Sequence, residues 1–157
     1  LKAFKKVSKK INCELLIIGY GSNELKIKNY IRDNSLIGKI KILKYQENPY
    51  KFIRSSDLFI LTSKYEGLPN VLLEAMVLKK FIISSNCPTG PSEILNNGKY
   101  GFLFKVGDHK ELARLIMKYN KNHKRYNRKI FLGYKSLNKF SFESNCKKYI
   151  NEIKKIL

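Results

Sequence analysis

Short apolar runs that alternate with amphipathic stretches most tightly constrain how this chain can fold. Cys13-Glu14-Leu15-Leu16-Ile17-Ile18 ends at Gly19, and Lys39 to Tyr45 alternates isoleucine with lysine. Asp57-Leu58-Phe59-Ile60-Leu61-Thr62 and Phe81-Ile82-Ile83-Ser84 follow, and Gly98 to Phe104 reads as a turn and a fifth strand. Apolar runs of this length, bounded by turn residues, read as buried strands. Helical spacing separates them. The tail of a helix covers Leu1 to Lys10, and further helices are expected at Ser22 to Arg32, from Asn48-Pro49 through Ile53, at Asn70 to Leu78 and at Pro91 to Leu95. After the last strand come helices over Asp108 to Tyr119, His123 to Asn138 and Phe142 to Ile156. Such an alternation implies a parallel sheet covered on both faces. Right-handed crossovers then give an open, doubly wound, Rossmann-like α/β domain. Ligands bind such sheets at the carboxyl ends of the strands, so the loops after Ile18, Leu43, Thr62, Ser84 and Phe104 are the candidates.

The 157 residues fit one domain, 1–157, with no linker or repeat. A hydrophobic content of 43 % with 12 % aromatics excludes a disordered chain. No apolar run is long enough to span a membrane, and no secretory leader is expected. Cys13, Cys87 and Cys146 are odd in number and widely spaced, which fits reduced thiols rather than a disulfide frame or zinc site. A cytoplasmic protein is the expectation.

Charge is the loudest number: 32 basic and 12 acidic residues leave a net +20. That field would attract nucleic acid, anionic lipid or phosphorylated small molecules. The excess is mostly lysine and accompanies abundant Asn, Ile and Tyr, a composition that an AT-rich genome produces whatever the function. It is uneven, however, with 14 Lys and Arg against three Glu from Lys110 onward. A nucleic-acid module has the charge and aromatics but lacks a helix-turn-helix, an RNA-binding sheet signature and zinc spacing. A membrane-docking module would use the Lys118 to Lys139 stretch on anionic lipid.

Two loops carry chemical signals. Gly19-Tyr20-Gly21-Ser22-Asn23-Glu24 has the position of a dinucleotide fingerprint, but Glu24 stands where the third glycine belongs, so a tight turn is the reading. The second runs Thr62-Ser63-Lys64-Tyr65-Glu66-Gly67-Leu68-Pro69-Asn70-Val71-Leu72-Leu73-Glu74-Ala75. Gly67 allows a sharp turn, and Pro69 sits near the first helical position. The amides of Leu68, Asn70 and Val71 would then be free at a helix start, an anion site suited to a diphosphate. Glu66 and Glu74 read equally as a pair bracketing that anion, or as a solvated loop acid and a first-turn acid favoured by the helix dipole. His109 and His123 fall outside this loop and read as surface residues. Cys87 reads as an ordinary thiol, and Glu93 as an acid at a helix start.

The stretch Glu66-Gly67-Leu68-Pro69-Asn70-Val71-Leu72-Leu73-Glu74-Ala75 resembles the Glu-x7-Glu motif of family 4 glycosyltransferases, retaining enzymes of the GT-B fold. Leu15 to Gly21, Ser55 to Leu61, Gly90 to Leu95, Asn97 to Leu103 and Phe140 to Glu143 resemble that family's flanking segments in the same order. The resemblance implies the C-terminal, donor-binding half of such an enzyme. Glu66 then matches the acid that contacts donor-sugar hydroxyls near the reacting centre, and Glu74 the acid that holds the ribose. Gly67 and the amides of Leu68, Asn70 and Val71 match the diphosphate cradle, with Pro69 where relatives often carry Gly. Lys44-Tyr45-Gln46-Glu47 matches the base-binding loop, with Lys44 in place of its usual Gly, so Tyr45 and Gln46 are base-contact candidates.

The implied reaction moves a hexosyl or N-acetylhexosaminyl unit from a nucleotide diphosphate sugar to a glycan or lipid-linked acceptor, with retention. The segment Cys87 to Glu93 looks like members that use UDP-linked donors. The resemblance implies no metal and no cofactor. It places two further cations on a strand and turn ahead of Leu1, and the acceptor site on a separate N-terminal domain. This chain is therefore expected to lack its domain's first strand and to be catalytically silent alone. The whole enzyme would be about twice this size or more, cytoplasmic, and peripheral on the inner face of the membrane. No nucleic acid is expected as a partner.

Overall fold

The structure, a computed structural model, describes residues 1–155. Its elements run α1 (Lys2–Val7), β1 (Leu15–Ile18), α2 (Glu24–Asp33), β2 (Ile40–Leu43), α3 (Tyr50–Ser55), β3 (Leu58–Leu61), α4 (Asn70–Val77), β4 (Phe81–Ser85), α5 (Pro91–Ile94), β5 (Phe102–Phe104), α6 (His109–Lys121), α7 (Asn127–Ser136) and α8 (Phe142–Ile153). Every strand pairing is parallel, as the apolar runs require. Leu15 lies opposite Ile40 in the β1–β2 ladder, Leu58 opposite Phe81 between β3 and β4, and Ile83 opposite Phe102 between β4 and β5.

The strands form two ladders, β1-β2 and β3-β4-β5, where a single sheet was expected. Among the described residues β1 and β3 each leave one edge without a ladder partner. The consequence is visible in burial. All five residues of β4 are buried, whereas the four of β3 are only half-buried and Leu16 of β1 is exposed.

Side-chain alternation along β4 builds two cores, one per face. Phe81 and Ile83 join Ala3 and Val7 of α1, Leu112, Ala113 and Leu115 of α6, and Tyr126. Phe81 stacks on Tyr119 with ring centroids 4.8 Å apart. Ile82 points to the other face, against Leu72, Ala75 and Met76 of α4 and Ile94 and Leu95. A third cluster, Phe4, Ile31 and Leu36, covers the β1–β2 pair.

Helix boundaries differ from the sequence reading where capping decides them. The second helix starts at Glu24 rather than Ser22, and neither Ser22 nor Asn23 bonds a helix amide with its side chain. Asp108 is a cap rather than a helical residue, accepting from the amides of Lys110 and Glu111. The long helix expected over His123 to Asn138 is broken into a 3-10 turn (His123–Tyr126), α7 and a second 3-10 turn (Leu137–Phe140). Ile156, the expected end of the last helix, lies outside the described residues. Among the described residues no helix is long and apolar enough to cross a membrane.

Candidate functional site

The passage from β3 into α4 is built from both ends. Leu72 is fully buried in the core beneath α4, and Pro69 is buried at its start, so the helix entry is fixed from below. Pro69 occupies the N-cap and Asn70 the first helical position, where the sequence placed the start of this helix. A proline cap has no side-chain acceptor for the first amides, and the first turn holds no acid. The Leu72 amide bonds to the Pro69 carbonyl at 2.9 Å. Among the described residues the amides of Leu68, Asn70 and Val71 have no acceptor, and all three residues are exposed. Unpaired amides and the helix dipole together make a positive helix start open to an anion.

Glu66 and Glu74 stand on either side of that point. Glu66 is half-buried before the helix, and the Ser63 hydroxyl donates to its Oε1 at 2.6 Å. Glu74 is half-buried in the second helical turn, about 6 Å along the axis from Asn70. The first-turn reading of Glu74 is thereby corrected: four residues of helix separate it from the cap. Its carboxylate has no hydrogen-bond or ion-pair partner among the described residues.

A second loop, after β4, clamps the first. The Ser85 hydroxyl, 1 % exposed, donates to the Ser63 carbonyl at 2.6 Å. Thr89, with a positive φ of 59°, donates its hydroxyl to the Glu66 carbonyl. Gly90 lies so close that a Cβ there would sit 2.4 Å from the Gly67 carbonyl oxygen and 2.4 Å from Pro69 Cδ. Sequence reasoning singled out none of Ser63, Ser85 and Thr89. The three-residue spacing of Ser63 and Glu66 was the available signal.

The remaining expected residues lie elsewhere. Tyr45 is exposed at the carboxyl end of β2, and Gln46 donates to the carbonyls of Lys44 and Tyr45. The structure thus gathers Glu66, Gly67, Leu68, Asn70, Val71 and Glu74 into one passage, and holds Tyr45 and Gln46 on the other ladder. Cys87 is buried, Glu93 and His123 are exposed, and His109 is half-buried beside lysines of α1. Among the described residues no group of three or more His, Cys, Asp or Glu side chains converges as a metal site.

Residues 1–135 match the model of the glycosyl transferases group 1 family. The chain belongs to that family. An uncharacterized glycosyltransferase of Methanocaldococcus jannaschii is 37 % identical over 119 residues, 67 % of this chain and 29 % of that protein. The lipopolysaccharide 1,6-galactosyltransferase of Escherichia coli is 31 % identical over 112 residues, 69 % of this chain and 31 % of the relative. A TarM variant from S. aureus, solved with fondaparinux, alpha-GlcNAc-glycerol and UDP, superposes with a TM-score of 0.85 at 26 % identity. That match covers 96 % of this chain and 31 % of TarM. The chain therefore spans about a third of the length of these group 1 glycosyltransferases. Its parallel strands and covering helices match their Rossmann-like GT-B domains.

Proposed function

We propose that this chain is the donor-binding half of a retaining group 1 glycosyltransferase that takes a UDP-linked hexose or N-acetylhexosamine. The observation that carries the reading is the set of three unpartnered amides at the start of α4, flanked by Glu66 and Glu74. The diphosphate lies on the amides of Leu68, Asn70 and Val71. As the bond to the sugar breaks, negative charge grows on the diphosphate, and preoriented dipoles stabilise it most at that moment. Glu66, the catalytic residue of this chain, accepts hydrogen bonds from donor-sugar hydroxyls beside the reacting carbon. Glu74 accepts from the ribose. Gly67 keeps the turn between them free of a side chain, and Tyr45 and Gln46 flank the base. Amides and basic side chains neutralise the anion, so no metal or other cofactor is required. The sugar passes to a glycan or lipid-linked acceptor held by an N-terminal domain of the same polypeptide, as a peripheral enzyme of the cytoplasmic membrane face.

The same polypeptide also supplies the strand between β1 and β3. In the doubly wound order the first strand lies between the second and the fourth, and the open edges of β1 and β3 support that place for it. The isolated chain binds donor but does not transfer.

A thermal-shift series with UDP, GDP, ADP and their sugars tests the donor, because ligand stabilises in proportion to its affinity for the folded state. UDP and UDP-sugars are expected to raise Tm, and a chelator to leave that response intact. Glu74→Ala removes charge-assisted hydrogen bonds of about 1.5–3 kcal/mol, weakening every uridine ligand roughly tenfold to a hundredfold. Glu66→Ala spares UDP and weakens only the sugar-bearing ligand. Equal losses for both ligands in both variants contradict the assigned roles, and no response to any nucleotide removes the donor reading.

A further inference from the structure

We propose that the outer face of α7, with the 3-10 turn before it, is a docking surface for the anionic headgroups of a lipid bilayer. Between Glu111 and Glu143 the chain carries nine Lys and Arg and no acid. Much of that charge falls on one rigidly held face. Gly133 is buried, with Tyr100 Cβ and Met76 Cε against its backbone, and Ile130 packs on the core. This seating turns Arg128, Phe131, Tyr134 and Lys135 outward. Phe131 is 56 % and Tyr134 41 % exposed, and with Lys79 they line a shallow groove. Lys79 Nζ stands 4.8 Å from the Tyr134 ring, and Lys135 Nζ 5.4 Å from that of Phe131.

The cations here are not consumed internally. Among the described residues Lys124, Arg125, Arg128 and Lys135 have no carboxylate within ion-pair reach. Lys129 makes the contrast: its Nζ turns inward to the carbonyls of Gly98 and Lys99, at 2.6 and 3.2 Å. Exposed aromatic rings ringed by long cations match a bilayer interface. The rings enter the headgroup layer while the charged ends reach phosphate. Nucleic acid fits less well, because single-strand readers stack bases on the aromatics of a sheet platform, and these rings stand on the outer face of a helix. The proposal is independent of the donor reading.

Sedimentation with vesicles tests it, using phosphatidylcholine alone and with about one third phosphatidylserine. Binding is expected only to the anionic vesicles and should weaken with salt. The Arg128→Gln/Lys135→Gln pair should lower partitioning about 25-fold, since each cation near an anionic surface contributes about fivefold. Phe131→Ser should weaken binding without changing its salt dependence. Lys26→Gln/Lys41→Gln removes the same charge from exposed sites on α2 and β2 and should change partitioning little. Lys124→Gln/Arg125→Gln replaces the first pair if that variant fails to fold. Equal loss in the two double variants, equal binding to neutral vesicles, or no vesicle binding overturns the proposal. So does single-stranded DNA that displaces the vesicles and weakens in the same variants.

Discussion

Gly90→Ala should damage the donor loop from outside it. Gly90 has φ of 82°, and a Cβ there would approach the Gly67 carbonyl oxygen and Pro69 Cδ to 2.4 Å each. Placing alanine at φ 82° and ψ −69°, outside even the left-handed helical region, costs at least about 1–2 kcal/mol. Forcing a methyl group into occupied space adds about 1–3 kcal/mol. The sum, about 3 kcal/mol, corresponds to a fall in Tm of about 6–12 °C for a domain of this size. Gly98→Ala separates the two contributions: its φ is 86°, but the nearest atom to its Cβ is 3.8 Å away. That variant should lose only about 3–6 °C. The unfolded-chain entropy change of Gly→Ala is common to both and cancels in the difference. Calorimetry of the two variants, each with and without UDP, is the assay. Gly90→Ala should also lose most of its UDP response, because relief comes only by moving Gly67 and Pro69. Equal Tm losses, or a full UDP response in Gly90→Ala, would refute the claim that the β4 loop clamps the β3 loop.

Ser85→Ala should destabilise by about 1 kcal/mol, read by denaturant unfolding, because it removes the 2.6 Å bond from the buried Ser85 hydroxyl to the half-buried Ser63 carbonyl. Ser63→Ala should leave Tm nearly unchanged yet weaken UDP-sugar relative to UDP, since it frees the Glu66 carboxylate. Hydrogen bonds from Arg114, both at 2.6 Å, hold the Glu111 carboxyl below its ordinary range. A depressed carboxyl pKa gives stability that is present above the unfolded value and lost as pH falls through the folded one. NMR titration should place the Glu111 midpoint below that of Glu111 in Arg114→Gln. The effect on stability should be small because the pair is exposed.

Strand cores were legible because burial on both faces demands continuous apolar residues, and β4 meets that demand at Phe81, Ile82 and Ile83 before it ends in buried Ser84 and Ser85. The break in the helix between His123 and Asn138 was not, because no proline marks it. It arises where Tyr126 turns into the core to meet Phe81 and Phe102, a contact between residues distant in sequence. The motif loop was legible through Gly67, Pro69 and two spaced acids. Its clamp was not, since Ser85, Thr89 and Gly90 reach Ser63, Glu66 and the Gly67–Pro69 turn only through the pairing of β3 with β4. The division into two ladders was equally hidden, because apolar periodicity reports burial and says nothing of which edges pair.

α4 ties the two proposed surfaces together. Its N-terminus presents the free amides, and Lys79, two residues past its end, leans on Tyr134 of α7. Eight residues of helix span about 12 Å, and the helix is anchored between by fully buried Leu72 and Ala75. A nucleotide at one end and a bilayer at the other would therefore be held in a fixed relation without competing for any residue. Saturating anionic vesicles should then leave the UDP affinity of this chain unchanged, measured by equilibrium dialysis on the vesicle-bound fraction. Release of UDP by vesicles would mean that the two ligands share a surface, and that α7 is not where the bilayer sits. Tightening beyond about threefold would mean that α4 transmits a coupling of more than about 0.6 kcal/mol, which a helix anchored at its midpoint should not do.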